Sequence, residues 1–230
     1  MPSSLSTQSA LLRLLLLLSL TTGLVDAISI IGLGKVFTAN MTGNIVFLGF
    51  AAVGTPGFHP MPYIVALAAF LAGAVLAGRV GKAHVELALS RWLTVAALVE
   101  AGLLWAAAVV AIGFEPNTLD MRLLVIIALT AVAMGFRNAT IRQLKVPDMT
   151  TTVLTLTLTG LAADSGFGGG TNANWQRRIG SVVAIFAGAV IGAILVMQTG
   201  LSVPLAMAGA LVLFGTLGCV HRSGTSQSRA

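Results

Sequence analysis

The sequence predicts an all-α, polytopic membrane protein forming a single membrane domain over residues 1–230. Three observations lead there. Of the 230 residues, 57% are hydrophobic and 9% charged, whereas a soluble chain is about 25% charged. Mean hydropathy is +0.96. Apolar runs near the length needed to cross a bilayer, about 20 residues, recur six times. These features argue against disorder, a coiled coil, a disulfide scaffold and a cytosolic enzyme. A single cysteine, Cys219, has no internal partner to bridge with. The net charge of +6 comes from 13 Lys and Arg against 7 Asp and Glu. The basic residues lie between apolar runs rather than in one patch, which is a membrane topology pattern and not a nucleic-acid surface.

The first run covers 11–33. Arg13, the leucine stretch and Val25-Asp26-Ala27 have the outline of a secretory signal. Asp26, however, belongs to a motif that recurs later, which a cleaved leader has no reason to share. Segment 36–55 is apolar but interrupted by Thr38, Asn40, Thr42, Gly43 and Asn44. Runs 61–80, 92–113 and 121–141 follow as full spans. Segment 149–163 is again mixed and short, and its Thr-Leu-Thr-Leu-Thr alternation has strand periodicity. An isolated strand leaves its backbone unsatisfied in lipid, so such a segment must be buried in protein or line a cavity. Runs 179–198 and 202–220 complete the set.

The chain repeats itself at an offset of 112 to 115. Gly23-Leu-Val-Asp-Ala27 aligns with Gly135-Phe-Arg-Asn-Ala139, and Val36–Gly49 with Met149–Ala162. Ala72-Gly-Ala-Val75 is identical to Ala187-Gly-Ala-Val190. The small residues Ala69, Gly73 and Ala77 fall on Ala184, Gly188 and Gly192, two faces suited to close helix crossing. Repeat 1 is then 11–113 and repeat 2 is 121–220, each a helix, a polar segment and two helices.

Charge predicts the topology. If the polar segments are re-entrant, six spans remain. Arg13, Arg79, Lys82, Arg91, Arg137, Arg142, Lys145, Arg177, Arg178, Arg222 and Arg229 then share the cytoplasmic side with both termini. Only Lys35 and Arg122 fall outside, as the positive-inside rule requires. Three spans per half makes the repeats inverted, a recurring transporter design. The alternative is eight spans with parallel repeats, which shows no charge bias; a cytoplasmic C-terminus separates the two.

The candidate solute or ion pathway is Asp26, Thr38, Asn40, Thr42, Gly43 and Asn44, answered by Asn138, Thr151, Thr152, Thr155 and Thr157. If helical, Thr38 with Thr42 and Asn40 with Asn44 form polar stripes at a spacing of four. Hydroxyls and amides can replace part of a hydration shell; they also hold helices together, and both readings stand. Asp26 and Glu100 are intramembrane acids. A carboxylate at the bilayer centre costs about 2.5 kcal/mol or more, so it pairs, protonates or works. Asp26 is either a proton or cation site, or half of a structural pair with Lys35 or Arg137. His59, His84 and His221 lack metal-ligand spacing. The glycine-rich 166–175 stretch lacks the lysine of a phosphate loop. No catalytic triad, metal site or cofactor is expected.

Gly23-Leu-Val-Asp26-Ala27 followed by Val36-Phe-Thr-Ala-Asn-Met-Thr-Gly-Asn44 resembles the signature of the YoaK-like bacterial transmembrane proteins. Ala133-Met-Gly-Phe-Arg-Asn-Ala139 followed by Thr150-Thr151-Thr152 is similar to that family's second motif. The second half departs at one place, where Leu156 follows Thr155 and a glycine is expected. The resemblance implies a bacterial inner-membrane protein and names neither reaction nor ligand. The functional expectation is a secondary transporter or channel for a small polar solute or ion. A non-transporting scaffold or sensor is the alternative, an enzyme is not expected, and homo-oligomerisation is left open.

Overall fold

A computed structural model describes residues 2–83, 89–116, 118–144, 154–172 and 174–227. Among them are eight α-helices and no strand: α1 (Pro2–Gly32), α2 (Met41–Ala52), α3 (Pro60–Ala83), α4 (Leu89–Val110), α5 (Met121–Leu144), α6 (Leu154–Ala163), α7 (Trp175–Thr199) and α8 (Ser202–Gln227). Six of them contain apolar stretches of 20 to 25 residues, at Ser9–Gly32, Pro60–Gly81, Ser90–Val110, Met121–Gln143, Trp175–Thr199 and Ser202–His221. At 1.5 Å per residue each reaches about 30 Å or more, the thickness of a hydrocarbon core. These are the six runs expected from the sequence. With 12 and 10 residues, α2 and α6 reach only about 15–18 Å.

The 149–163 segment corrects the strand periodicity read from it. Residues 154–163 are helical, because a lone helix satisfies its own backbone and a lone strand does not. Residues 149–153 lie outside the described residues.

Helix directions follow from the contacts. α1 runs parallel to α7, with Gly180 facing Leu16 and Gly192 facing Leu24 and Ala27. α3 runs parallel to α5, with Gly135 on Phe70 and Gly81 on Gln143. α8 is antiparallel to α1, with Gly32 on Leu201 and Gly215 on Leu17. It is also antiparallel to α4: the Trp105 indole donates to the Ala206 carbonyl at 3.1 Å, while Val212 and Thr216 lie beside Leu93 and Ala97. α5 is antiparallel to α4, since Arg122 donates to the Val110 carbonyl at 2.7 Å and Phe136 packs on Trp92. One end of the bundle therefore carries Arg13, Arg79, Arg91, Arg142 and Arg177. The other carries Lys35, Glu115, Asp120 and Arg122.

Two crossings are the same crossing made twice. A Cβ on Gly23 would strike the Ile185 carbonyl, and one on Gly135 would strike the Phe70 carbonyl. Gly188 sits on the Leu20 carbonyl and Gly73 on that of Val132. Under the sequence repeat, Gly23 corresponds to Gly135, Ile185 to Phe70, Gly188 to Gly73 and Leu20 to Val132. Glycine at these four places lets the backbones touch, where close approach is the main source of helix association in lipid. Two further packed pairs exchange in the same way: α1–α8 with α5–α4, and α2–α3 with α6–α7.

Candidate functional site

The site begins where α1 ends. Gly34 and Lys35 both take left-handed backbone, with φ of 75° and 64°, and turn the chain back toward the bundle. Lys35 holds this conformation with its ammonium 5.3 Å from the centre of the Phe58 ring. Residues 36–40 are then non-helical, and α2 starts at Met41. Non-helical backbone inside a bundle needs polar partners. Asn44, fully buried, supplies them for Phe37: its Oδ1 accepts the Phe37 N–H at 2.9 Å, and its Nδ2 donates to the Phe37 carbonyl at 2.6 Å. Gly43 leaves room for the Phe37 ring, whose nearest atom would lie 2.6 Å from a Cβ there. Phe47 then stacks on Phe37 and packs on Phe58 and Tyr63, seating α2 on α3.

This geometry corrects the stripe expected from the spacing of four. The helix begins after Asn40, so Thr38 and Asn40 precede it and share no helical face with Thr42 and Asn44. Asn44 is structural glue. Thr38 is fully buried, and its hydroxyl has no hydrogen-bond partner. Asn40 and Thr42 are exposed and line a cleft of about 540 Å³. Across it stand Asn138 and Arg142 of α5, with Phe70 and Ala74 of α3. Phe70 lies at the middle of its span, so the start of α2 lies at about mid-depth beside α3. On the sequence alone Asn138 is a site residue and Arg142 a topology marker. Their spacing of four, one helical turn, was the available signal.

Glu100 and Arg137 form a buried ion pair, 4% and 2% exposed. Arg137 Nε donates to Glu100 Oε1 at 2.6 Å, and the guanidinium also donates to the Thr22 hydroxyl at 3.1 Å and the Leu18 carbonyl at 3.3 Å. The pair joins α1, α4 and α5. Two expectations change as a result. Arg137 lies inside the bundle and drops out of the cytoplasmic charge tally. Its hydrogen-bonded acid is Glu100, so Asp26 is not its direct partner. Asp26 lies one helical turn from Thr22, which bonds Arg137; it is half-buried, and its Oδ1 is buried without a hydrogen-bond partner.

In the second half, α6 is held to α7 by Arg178, which is 7% exposed, pairs with Asp164 at 2.7 Å and packs under Gly160. Thr157 is buried and Thr155 exposed. Thr151 and Thr152 lie outside the described residues. The structure thus brings Asn40, Thr42 and Asn138 together, while Glu100 joins Arg137 elsewhere and Asn44 and Gly43 serve the turn.

The family model described as "Protein of unknown function (DUF1275)" matches residues 14–218. The chain is also 38% identical over 152 residues to the "UPF0700 transmembrane protein YoaK" of Bacillus subtilis (strain 168). That alignment covers 66% of this chain and 65% of the relative, so it spans just under two thirds of that protein's length. No solved structure matches. A family model covering nearly all of the helical bundle, together with a transmembrane relative, identifies this chain as a member of the DUF1275 family, a multi-pass membrane protein.

Proposed function

We propose that the protein is a secondary transporter or channel for a small polar solute or ion, built from two inverted three-span halves. The observation that carries the reading is the cleft in which Asn40 and Thr42, at the start of a half-length helix, meet Asn138 and, nearer the arginine-bearing end, Arg142. Half-helices that start at mid-membrane and meet polar side chains there are a recurring solute-site construction. The inversion is supported by α4 and α8 running antiparallel. They end equivalent halves, and eight crossings in series would make them parallel. The reciprocal glycine contacts support a common ancestry of the halves. With the arginine-bearing end cytoplasmic, both termini face the cytoplasm of a bacterial inner membrane.

Asp26 is the coupling acid in this reading. Asp26 and Glu100 set two carboxylates against the one guanidinium of Arg137, leaving one negative charge for a proton or cation to balance. Protein reconstituted in liposomes should take up radiolabelled solutes from a metabolite panel in a saturable way. Asp26→Asn should stay folded and lose the dependence of uptake on an imposed proton or sodium gradient. Absence of flux for every solute, with the protein folded, would favour the scaffold reading.

A further inference from the structure

We infer that the cleft between α2, α3 and α5 is the binding site for a small organic monoanion, a monocarboxylate held by Arg142. The inference rests on the transport reading only for what happens after binding. The cleft collects hydrogen-bond donors around one cation. Arg142 is exposed in it and has no acidic partner among the described residues. Asn138, one helical turn back on α5, adds a carboxamide, and Thr42 adds a hydroxyl. α2 points its N-terminus at the same space. Asn40 takes the N-cap position with extended backbone, φ −110° and ψ 91°, but its side chain does not cap the helix, and the first turn has no acid. The first-turn N–H groups therefore have no side-chain cap from that residue, and the positive end of the helix favours an anion.

The rest of the lining selects among anions. Phe70, Ala74, Met41 and Ile141 are apolar, which suits an organic tail and not a bare halide or phosphate. A single guanidinium matches one carboxylate, in a two-pronged geometry that lysine cannot offer. The repeat sharpens the contrast. Asn138 and Arg142 correspond to Asp26 and Ile30 in α1, so the second half has an amide where the first carries an acid, and a cation one turn on where the first is apolar. The two halves have diverged into an anion site and an acid site on the same framework.

Purified protein in nanodiscs, titrated with sodium lactate and sodium benzoate, tests this, with lactamide and benzamide as neutral matches and chloride and phosphate as inorganic ones. Calorimetric binding is expected for at least one carboxylate and for none of its matches. Arg142→Gln should weaken that binding about tenfold or more, the loss of one charge-assisted contact. Thr42→Val should weaken it less. Arg79→Gln, an exposed arginine on α3 outside the cleft, should leave it unchanged. A benzamide or lactamide that binds as well as its acid, an unaltered affinity in a folded Arg142→Gln protein, or no binding of either acid would overturn the inference. Carboxylate binding without flux in liposomes would keep the site and defeat the transport reading. Flux of another solute with no carboxylate binding would do the reverse.

Discussion

At the residue scale, the bundle separates polar groups that serve the fold from those that face open space. Glu100 and Arg137 belong to the first class. Glu100→Gln leaves a buried guanidinium without its counter-charge, which typically costs about 3–5 kcal/mol. Thermal unfolding in detergent should show a marked loss, and Glu100→Leu combined with Arg137→Leu should recover much of it, because a well-packed apolar pair avoids the desolvation of both ions. Asp26 behaves differently. Since Arg137 bonds to Glu100, Asp26→Asn strands no paired cation, and its cost should stay within about 1 kcal/mol, in the range of ordinary substitutions. A collapse of Asp26→Asn in the same assay would mean that Asp26, and not Glu100, holds the guanidinium. Asn44→Ala removes both bonds to the Phe37 backbone and should cost about 1–3 kcal/mol for the polar groups left unsatisfied.

At the element scale, the helix crossings rest on glycine. Gly23, Gly135, Gly73 and Gly188 each lie against a carbonyl of the neighbouring helix, so a methyl group at any of them forces the backbones apart. Overpacking of this kind costs about 1–3 kcal/mol. Gly23→Ala and Gly135→Ala should lower the unfolding midpoint by similar amounts, because they occupy equivalent places in equivalent crossings. Gly102→Ala in α4 and Gly78→Ala in α3 meet open space and should be neutral or slightly stabilising. The half-helices depend on different anchors. Phe47 and Tyr63 seat α2 on α3, whereas Gly160 under Arg178, with Asp164 beside it, seats α6 on α7. Each half-helix packs on the long helix that follows it, by different chemistry.

For the whole molecule, the order of crossings is the testable quantity. In a background lacking Cys219, single cysteines at Arg13→Cys, Arg79→Cys and Arg177→Cys should all be labelled by an impermeant maleimide from the same side. His59→Cys and Glu115→Cys should be labelled from the other. If α2 and α6 crossed fully, position 79 would lie opposite positions 13 and 177, so that result would end the inverted arrangement. The same experiment places the cleft, because Arg142 lies one residue from the end of its span at the arginine-bearing end.

Composition and run length were enough to determine six spans and two short polar segments, because the bilayer imposes a length on any helix that crosses it. The glycines Gly23 and Gly135, and Gly73 and Gly188, were legible as aligned pairs, and each pair makes matching contacts. The resemblance in Asp26-Ala27 and Met41-Thr-Gly-Asn44 was enough to point to the family. Partner choice was not legible. Arg137 read as a loop-side charge because a sequence shows distance along a helix and not which face it presents; only packing of α1 and α4 against α5 turned it toward Glu100. Likewise Thr38 and Asn40 read as part of a helical stripe until the turn at Gly34 and Lys35 placed the helix start after them. Arg142 joined the candidate site for the same reason: its closeness to Thr42 arises from helices far apart in the chain, and only tertiary structure brings those together.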